Sequence, residues 1–161
     1  MEKKYKLTEE SISFNGRTLY RIESIRDFGL IKKGQKGGFI ESEYNLSHEG
    51  DSWVYDDAKV YGNAEVFGNA NVSGNAMVSG NAKVSGNAYI IGDNDYIVFK
   101  NWWGSGRHFT WTRSNNKWKV GCFYGTGEEL IKNAYKDSEK SGREYERVVK
   151  YVESILADEK K

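Results

Sequence analysis

Residues 51–92 read DSWVYD-DAKVYG-NAEVFG-NANVSG-NAMVSG-NAKVSG-NAYIIG, which is seven consecutive hexads. Each hexad has an aliphatic residue at the same place, and six have alanine two places earlier, where the first has Ser52. The aliphatic residues are Val54, Val60, Val66, Val72, Val78, Val84 and Ile90. Side chains two residues apart lie on one side of a strand, whereas a helix would place them three and four apart. The pattern predicts a solenoid of short strands with a turn every six residues.

The corners of this solenoid carry glycine, usually followed by asparagine. A sharp corner needs a residue that tolerates positive φ, and glycine and asparagine do so best. Three hexads make one coil, so stacked coils place Asn63 beside Asn81 and Asn69 beside Asn87. We therefore expect ladders of side-chain amides along the corners.

The period of six also extends upstream of the hexads. Ile40 and Leu46 are six residues apart, and Val54 follows Leu46 after eight, which predicts a two-residue insertion within Ser47–Glu49. The inward positions then form three coils, which are Ile40, Leu46 and Val54; Val60, Val66 and Val72; and Val78, Val84 and Ile90.

The repeated V-x-G-N-A-x resembles the hexapeptide-repeat, left-handed β-helix family. The resemblance implies left-handed coiling and a homotrimeric assembly. We therefore expect a mainly β fold, namely a left-handed parallel β-helix of about three coils with an appended β-meander and two-helix module.

Residues on either side of the solenoid predict two further units. Residues 1–38 read as a hairpin with an Asn15-Gly16 turn, preceded by a frayed start at Met1–Lys6 and followed by a capping loop over Phe28–Gly38. The solenoid occupies residues 39–92. Residues 93–161 read as a three-stranded meander, with strands at Tyr96–Trp103, His108–Arg113 and Lys117–Tyr124, and two helices. Thr126 and Glu129 have the spacing of a capping box for the first helix, and Gly142 is expected to end it.

A second resemblance covers most of the chain. The sequence VGCFYGT at residues 120–126 and the lead-in KGGFIESEYNLS at residues 36–47 are similar to small phage and prophage accessory proteins. This resemblance implies a bacterial host, and the single cysteine together with the lack of an apolar N-terminal run favours the cytoplasm as the location. It carries no settled activity.

The composition excludes several classes of function. The chain has 161 residues, with 24 Lys and Arg against 23 Asp and Glu, so its net charge of +1 disfavours sequence-independent nucleic-acid binding. We expect no sequence-specific nucleic-acid partner either. One cysteine allows no intramolecular disulfide, and no apolar run is long enough to cross a membrane.

One face of the solenoid is predicted to turn aromatic and aliphatic side chains outward. These are Trp53, Tyr55, Tyr89 and Ile91. An apolar patch of this kind needs a cover. The C-terminal module of the same chain is one candidate for that cover, and a subunit interface is the other.

A cluster after the first meander strand suggests a binding site for an anion. Glycines around Ser105 let backbone N–H groups converge, Arg107 and His108 add charge, and Trp102 and Trp103 supply flat surfaces for stacking. Arg113 and Tyr124 are expected to close the site. Together these residues suit a nucleotide-like ligand, while the alternative is an ordinary glycine turn beside core tryptophans.

Catalytic alternatives rest on two histidines. His48 with Glu49 on the inserted bulge would suit a general base, as in the acyltransferases among hexapeptide proteins. His108 with Cys122 would suit a nucleophile and base, although a lone cysteine in an apolar strand is usually a core residue. Two histidines are too few for a three-histidine zinc site, so we expect neither metal nor cofactor.

The sequence favours a non-enzymatic role. We expect a phage-type accessory protein that sequesters a small anionic, nucleotide-like ligand, such as a host defence signal. The alternatives are an acyltransferase that uses His48 and a protein-binding scaffold that uses the Trp53 and Tyr89 face.

Overall fold

A computed structural model describes residues 2–160 of the chain. Its strands are β1 Tyr5–Phe14, β2 Arg17–Ser24, β3 Lys36–Ile40, β4 Trp53–Val54, β5 Lys59–Val60, β6 Glu65–Val66, β7 Asn71–Val72, β8 Met77–Val78, β9 Lys83–Val84, β10 Tyr89–Ile90, β11 Tyr96–Lys100, β12 His108–Thr112, β13 Lys117–Val120 and β14 Phe123–Gly125. Helices α1 Gly127–Asp137 and α2 Glu139–Glu159 follow. The fold is mostly strands, with short parallel sheets stacked as rungs, an antiparallel meander and two C-terminal helices.

The hexads form the stacked rungs that their period predicts. Val54 pairs in parallel with Val72, which pairs with Ile90, and the same 18-residue spacing joins Val60 to Val78 and Val66 to Val84. Every inward aliphatic side chain from Ile40 to Ile90 is fully buried. The three sets of inward residues derived from the sequence are therefore confirmed as one continuous core.

The predicted insertion is confirmed by a change in register. Ile40 pairs with Val60 and Leu46 with Val66, a spacing of 20 residues, whereas Val54 pairs with Val72, a spacing of 18. The two extra residues therefore lie between Leu46 and Val54.

Glycine carries the positive φ at the corners. Five corner glycines from Gly62 to Gly86 have φ between 63° and 68°, and in the first hexad Asp56 takes this conformation with φ 56°. One predicted amide contact is confirmed, since Asn63 Nδ2 donates to Asn81 Oδ1 at 3.4 Å. Asn69 Oδ1 instead accepts from the backbone N–H of Asp51 at 3.3 Å.

The N-terminal segment caps the start of the solenoid. The Asn15-Gly16 hairpin is confirmed, but the expected fraying before it is wrong for Lys4 and Tyr5, which are fully buried. Lys4 Nζ donates to the carbonyl of Ser52 at 2.7 Å, and the Tyr5 hydroxyl donates to the carbonyl of Leu46 at 2.6 Å. These carbonyls belong to the first rung, so the segment is ordered by the hydrogen bonds that it donates.

The C-terminal module caps the other end. In the last rung, the backbone N–H of Met77 donates to Asp93 Oδ1 at 3.0 Å, that of Lys83 to Thr110 Oγ1 at 2.9 Å, and that of Tyr89 to Ser114 Oγ at 2.9 Å. In the preceding rung, the equivalent N–H groups belong to Lys59, Glu65 and Asn71, and they donate to backbone carbonyls of the last rung. The module therefore takes the place of a further rung.

The expected outward patch is wrong at Trp53. This side chain is fully buried under the N-terminal segment, with the rings of Tyr5 and Phe28 centred 6.2 and 5.4 Å away. Tyr55 is half-buried, whereas Tyr89 and Ile91 are more than half exposed. The cover over Trp53 comes from Tyr5 at the start of β1 and from Phe28 in the segment between β2 and β3.

The meander has four strands rather than the three expected, in the order β11-β12-β13-β14. The third predicted strand is split at Gly121, whose φ of 54° allows a tight turn. Cys122 therefore lies exposed in this turn, and the expectation of a cysteine in an apolar strand is wrong.

The helices pack on the meander and form a second core with Trp111, Trp118 and Leu130. The predicted capping box is confirmed: Glu129 N–H donates to Thr126 Oγ1 at 3.2 Å and Thr126 N–H donates to Glu129 Oε1 at 2.9 Å. The expectation that Gly142 ends the helix is wrong, because Ser138 separates the two helices and Gly142 lies inside α2. The ring of Tyr135 approaches Gly142 so closely that an added Cβ would lie 2.2 Å from it.

Candidate functional site

The turn between β11 and β12 carries the residues expected to bind a ligand. It is closed by its own hydrogen bonds: Asn101 N–H donates to the Arg107 carbonyl and Gly106 N–H to the Asn101 carbonyl, both at 2.9 Å. Arg107 N–H donates to Ser105 Oγ at 3.2 Å. These three N–H groups are therefore occupied within the turn and are not available to an anion.

Two clefts meet at this turn. The first, which we name the junction cleft, has a volume of about 320 Å³ and lies between the solenoid and the meander. Its lining residues are Asn81, Lys83, Arg107, His108, Lys119 and Gly121. The second, which we name the helix cleft, has a volume of about 340 Å³ and lies between the turn and helices α1 and α2. Ser105, Arg107 and His108 line the helix cleft, together with Cys122 and Asn101.

The junction cleft is lined by basic side chains and no carboxylate. Lys83 Nζ bonds Glu65 at 2.5 Å and the Tyr44 hydroxyl at 3.3 Å. Burial acts to lower the pKa of Lys83, but these hydrogen bonds outweigh it and the pKa lies above its ordinary value. Within residues 2–160, neither Arg107 nor Lys119 forms an ion pair. The charge that this cleft offers to a ligand therefore comes chiefly from those two residues.

The two tryptophans of the turn differ in environment. Trp102 is 67% exposed, and Lys140 Nζ lies 5.8 Å from the centre of its ring. Trp103 is half-buried and packs edge-on against Tyr145, with ring centroids 4.9 Å apart. Trp103 is thus a packing residue of the second core, while Trp102 has a free face.

Arg113 and Tyr124 line neither cleft, although Tyr124 is the register partner of Lys119 on β13. Arg113 donates to the Asn94 carbonyl at 3.0 Å and forms ion pairs with Asp95 and Glu159. The Tyr124 hydroxyl accepts from Asn115 Nδ2 at 2.8 Å. The expectation that these two residues close the site is not met, because β12 separates Arg113 from Arg107 by its full length.

Sequence reasoning missed Lys83, Lys119 and Asn81 as site residues. Asn81 and Lys83 lie far from Arg107 along the chain and reach it because the meander sits on the last rung, whereas Lys119 reaches it through the pairing of β12 with β13. The available signal was the alternation on β9 and β13, where Lys83 precedes inward Val84 and Lys119 follows buried Trp118.

His48 is held as a structural residue. Its ring stacks on Tyr5 with centroids 4.1 Å apart, its Nδ1 accepts from the Lys4 N–H at 3.2 Å, and its Nε2 lies 2.8 Å from Glu43 Oε1. The hydrogen bond from His48 is the main cause that lowers the pKa of the Glu43 carboxyl. With both ring nitrogens engaged, and Glu43 rather than Glu49 as the partner, the arrangement favours packing over general-base chemistry.

The other catalytic candidates come together without forming a pair. Cys122 and His108 both line the helix cleft, but among residues 2–160 no hydrogen bond joins them. The same part of the chain holds no group of three or more His, Cys, Asp or Glu side chains placed to bind a metal ion.

No model of a known protein family matches the chain, and no curated protein sequence matches it significantly. Within the described residues, no helix is both long enough and apolar enough to span a bilayer.

Proposed function

We propose that the protein is a non-enzymatic, phage-type accessory protein that captures a small anionic, nucleotide-like ligand, such as a host defence signal. We also propose that its rungs coil left-handed, as in the hexapeptide-repeat proteins that it resembles, and that it acts as a homotrimer in the cytoplasm of a bacterial host. The hexads and their parallel 18-residue register support the family resemblance.

The observation that carries the proposal is the charge of the junction cleft. Arg107 and Lys119 face it without an ion-pair partner among the described residues, and Lys83 and His108 complete a wall that no carboxylate interrupts. Arginine offers a planar fork of N–H donors that fits phosphate, and lysine adds a compact charge. The site therefore suits a phosphate-bearing ligand better than a neutral one or a cation.

The junction cleft also offers a reason for the appended module. The solenoid alone supplies Lys83 and Asn81, and the meander supplies Arg107, His108 and Lys119. A ligand would thus contact both units at once, and its binding would stabilise their junction by mass action.

Isothermal titration calorimetry with pyrophosphate tests the site. We expect Arg107→Gln and Lys119→Gln each to weaken binding about tenfold, since hydrogen bonds to charged groups contribute about 1.5–3 kcal/mol and 1.4 kcal/mol corresponds to a factor of ten. Binding should also weaken with added salt, because exposed charges are screened.

Arg143→Gln is the matched control. It removes the same charge from an exposed position on α2, where Arg143 pairs with Glu139 at 3.8 Å. This variant should bind pyrophosphate as the unchanged protein does. Equal affinities in the Arg107, Lys119 and Arg143 variants would show that the junction cleft is not the site.

A further inference from the structure

The two clefts share one rim. Arg107, His108 and Gly121 line both of them, and Arg107 Nη1 would lie 3.7 Å from a Cβ placed on Gly121. Small-molecule sites usually enclose about 300–1,000 Å³, so each cleft alone is near the lower limit. A ligand anchored on Arg107 would therefore have room to continue from the junction cleft into the helix cleft.

The helix cleft differs in chemistry from the junction cleft. It is lined by rings and aliphatic groups such as Phe109, Phe123 and Leu130, and its charged residues include Asp137 of α1 as well as Arg107. Such a surface suits a flat, uncharged ring rather than a second phosphate.

One polar atom of a residue that lines the helix cleft lacks a partner. Asn101 is 7% exposed, and its Nδ2 donates to the Tyr145 hydroxyl at 3.2 Å. Its Oδ1 is buried and has no hydrogen-bond partner among the described residues. Buried polar atoms are nearly always paired, and an amide oxygen is satisfied only by a donor. Several buried side-chain atoms of the described residues lack a hydrogen-bond partner. Among the residues that carry these atoms, Asn101 alone lines either of the two clefts.

We infer that the captured ligand is a nucleotide whose base carries an exocyclic amine, with its phosphate at Arg107 and its amine donating to Asn101 Oδ1. The inference rests on the proposed function, and it adds which half of the ligand enters which cleft. A base without the amine would leave Asn101 Oδ1 unpaired and bind less tightly.

Calorimetry of the full chain with three probes tests the inference. Adenosine 5′-monophosphate and purine riboside 5′-monophosphate differ only in the amine, and pyrophosphate reports the anion site alone. We expect adenosine monophosphate to bind about tenfold more tightly than purine riboside monophosphate, as for the loss of one buried hydrogen bond. Asn101→Leu should abolish this preference, whereas Asn101→Asp retains an acceptor and should retain the preference.

The outcomes separate the two claims. If pyrophosphate binds through Arg107 but the two nucleotides bind equally, the inference is overturned and the proposed function stands, with water serving Asn101 Oδ1. A preference that persists in Asn101→Leu also overturns the inference. If none of the three probes binds, the proposed function fails and the inference fails with it. Should Asn101→Leu not fold, the nucleotide pair with the unchanged chain and Asn101→Asp decides.

Discussion

The two ends of the solenoid are closed by opposite chemistry. At the start, Lys4, Tyr5 and Arg21 donate from their side chains to backbone carbonyls of the first rung. At the end, the backbone N–H groups of the last rung donate to the side-chain oxygens of Asp93, Asp95, Tyr96, Thr110 and Ser114. The start therefore needs donors, and the end needs chiefly acceptors.

The polarity of the ladder explains this difference. Between rungs, backbone N–H groups such as that of Lys59 donate forward to carbonyls of the next rung, such as that of Ala76. The first rung thus turns carbonyls outward, and the last rung turns N–H groups outward. A bare edge of this kind templates pairing with other chains, so a short solenoid needs both caps.

The largest effect on the free energy of unfolding is expected at the start of the solenoid, where the capping side chains are most deeply buried. Tyr5→Ala should lower the free energy of unfolding by about 3–5 kcal/mol, because it removes a fully buried ring. Tyr96 at the end is half-buried, so Tyr96→Ala should cost less. Urea denaturation of both variants measures the difference. Tyr5→Phe, which loses only the hydroxyl, should cost about 1 kcal/mol. Equal costs for the two alanine variants would contradict the ranking of the two ends.

At the end, Thr110→Val should destabilise the protein by about 2 kcal/mol. Thr110 is buried, and valine keeps its shape but leaves the Lys83 N–H without an acceptor. Thr18→Val on exposed β2 is the matched control and should change the free energy of unfolding little. A Thr110→Val variant as stable as its control would mean that Thr110 does not serve the last rung.

The free energy of unfolding should also depend on pH through Lys4, which lies in the cap at the start of the solenoid. Burial lowers the pKa of Lys4 to about 8 from an unfolded value of 10.5. Between these values the unfolded chain binds the proton more tightly than the folded protein does, so this residue makes stability rise as pH rises from about 8 to 10.5. We expect a rise of about 2–3 kcal/mol, because a difference of one pKa unit corresponds to about 1.4 kcal/mol.

Comparison with Lys4→Met isolates this response, because the tyrosines titrate in both proteins. The difference in free energy of unfolding between the two proteins should shift with pH in favour of the unchanged chain. A difference that stays constant across this range would show that Lys4 keeps an ordinary pKa.

The smallest effect is expected at Ser114. Its Oγ accepts from the N–H of Tyr89, whose side chain is 52% exposed. Since water can replace the hydroxyl at such a position, Ser114→Ala should cost about 0.5 kcal/mol. A cost as large as that of Thr110→Val would indicate that this corner is closed to solvent.

The rungs were predictable because a period of six residues specifies its own register. Each inward valine predicts its neighbour 18 residues on, and the eight-residue step from Leu46 to Val54 marks the insertion. The caps were not predictable in this way. Lys4 lies in a charged stretch that resembles a solvated terminus, and its burial is explained by acceptors far along the chain, chiefly the carbonyls of Gly50 and Ser52.

The candidate site was predictable in part for a related reason. Ser105, Arg107 and His108 lie close together in sequence and meet at one turn, whereas Lys119 joins them through the pairing of β12 with β13, and Lys83 joins them through the contact between the meander and the last rung. The fourth meander strand was missed because the positive φ at Gly121 creates a turn inside a run that reads as one strand. Local patterns therefore predicted the turn, whereas strand pairing within the meander and its docking on the last rung bring the other residues to it.

Amide hydrogen exchange of Lys83, measured by NMR on the full chain, tests the account most directly. The Lys83 N–H is held by Thr110, and the Lys83 side chain lines the junction cleft, so one residue reports both the cap and the site. Glu65 occupies the same place one rung below and donates to the Ala82 carbonyl at 3.0 Å. We predict that the Lys83 amide is protected to about the same degree as that of Glu65. Free exchange at Lys83 beside protection at Glu65 would contradict the account, since the module would then neither cap the last rung nor build the cleft.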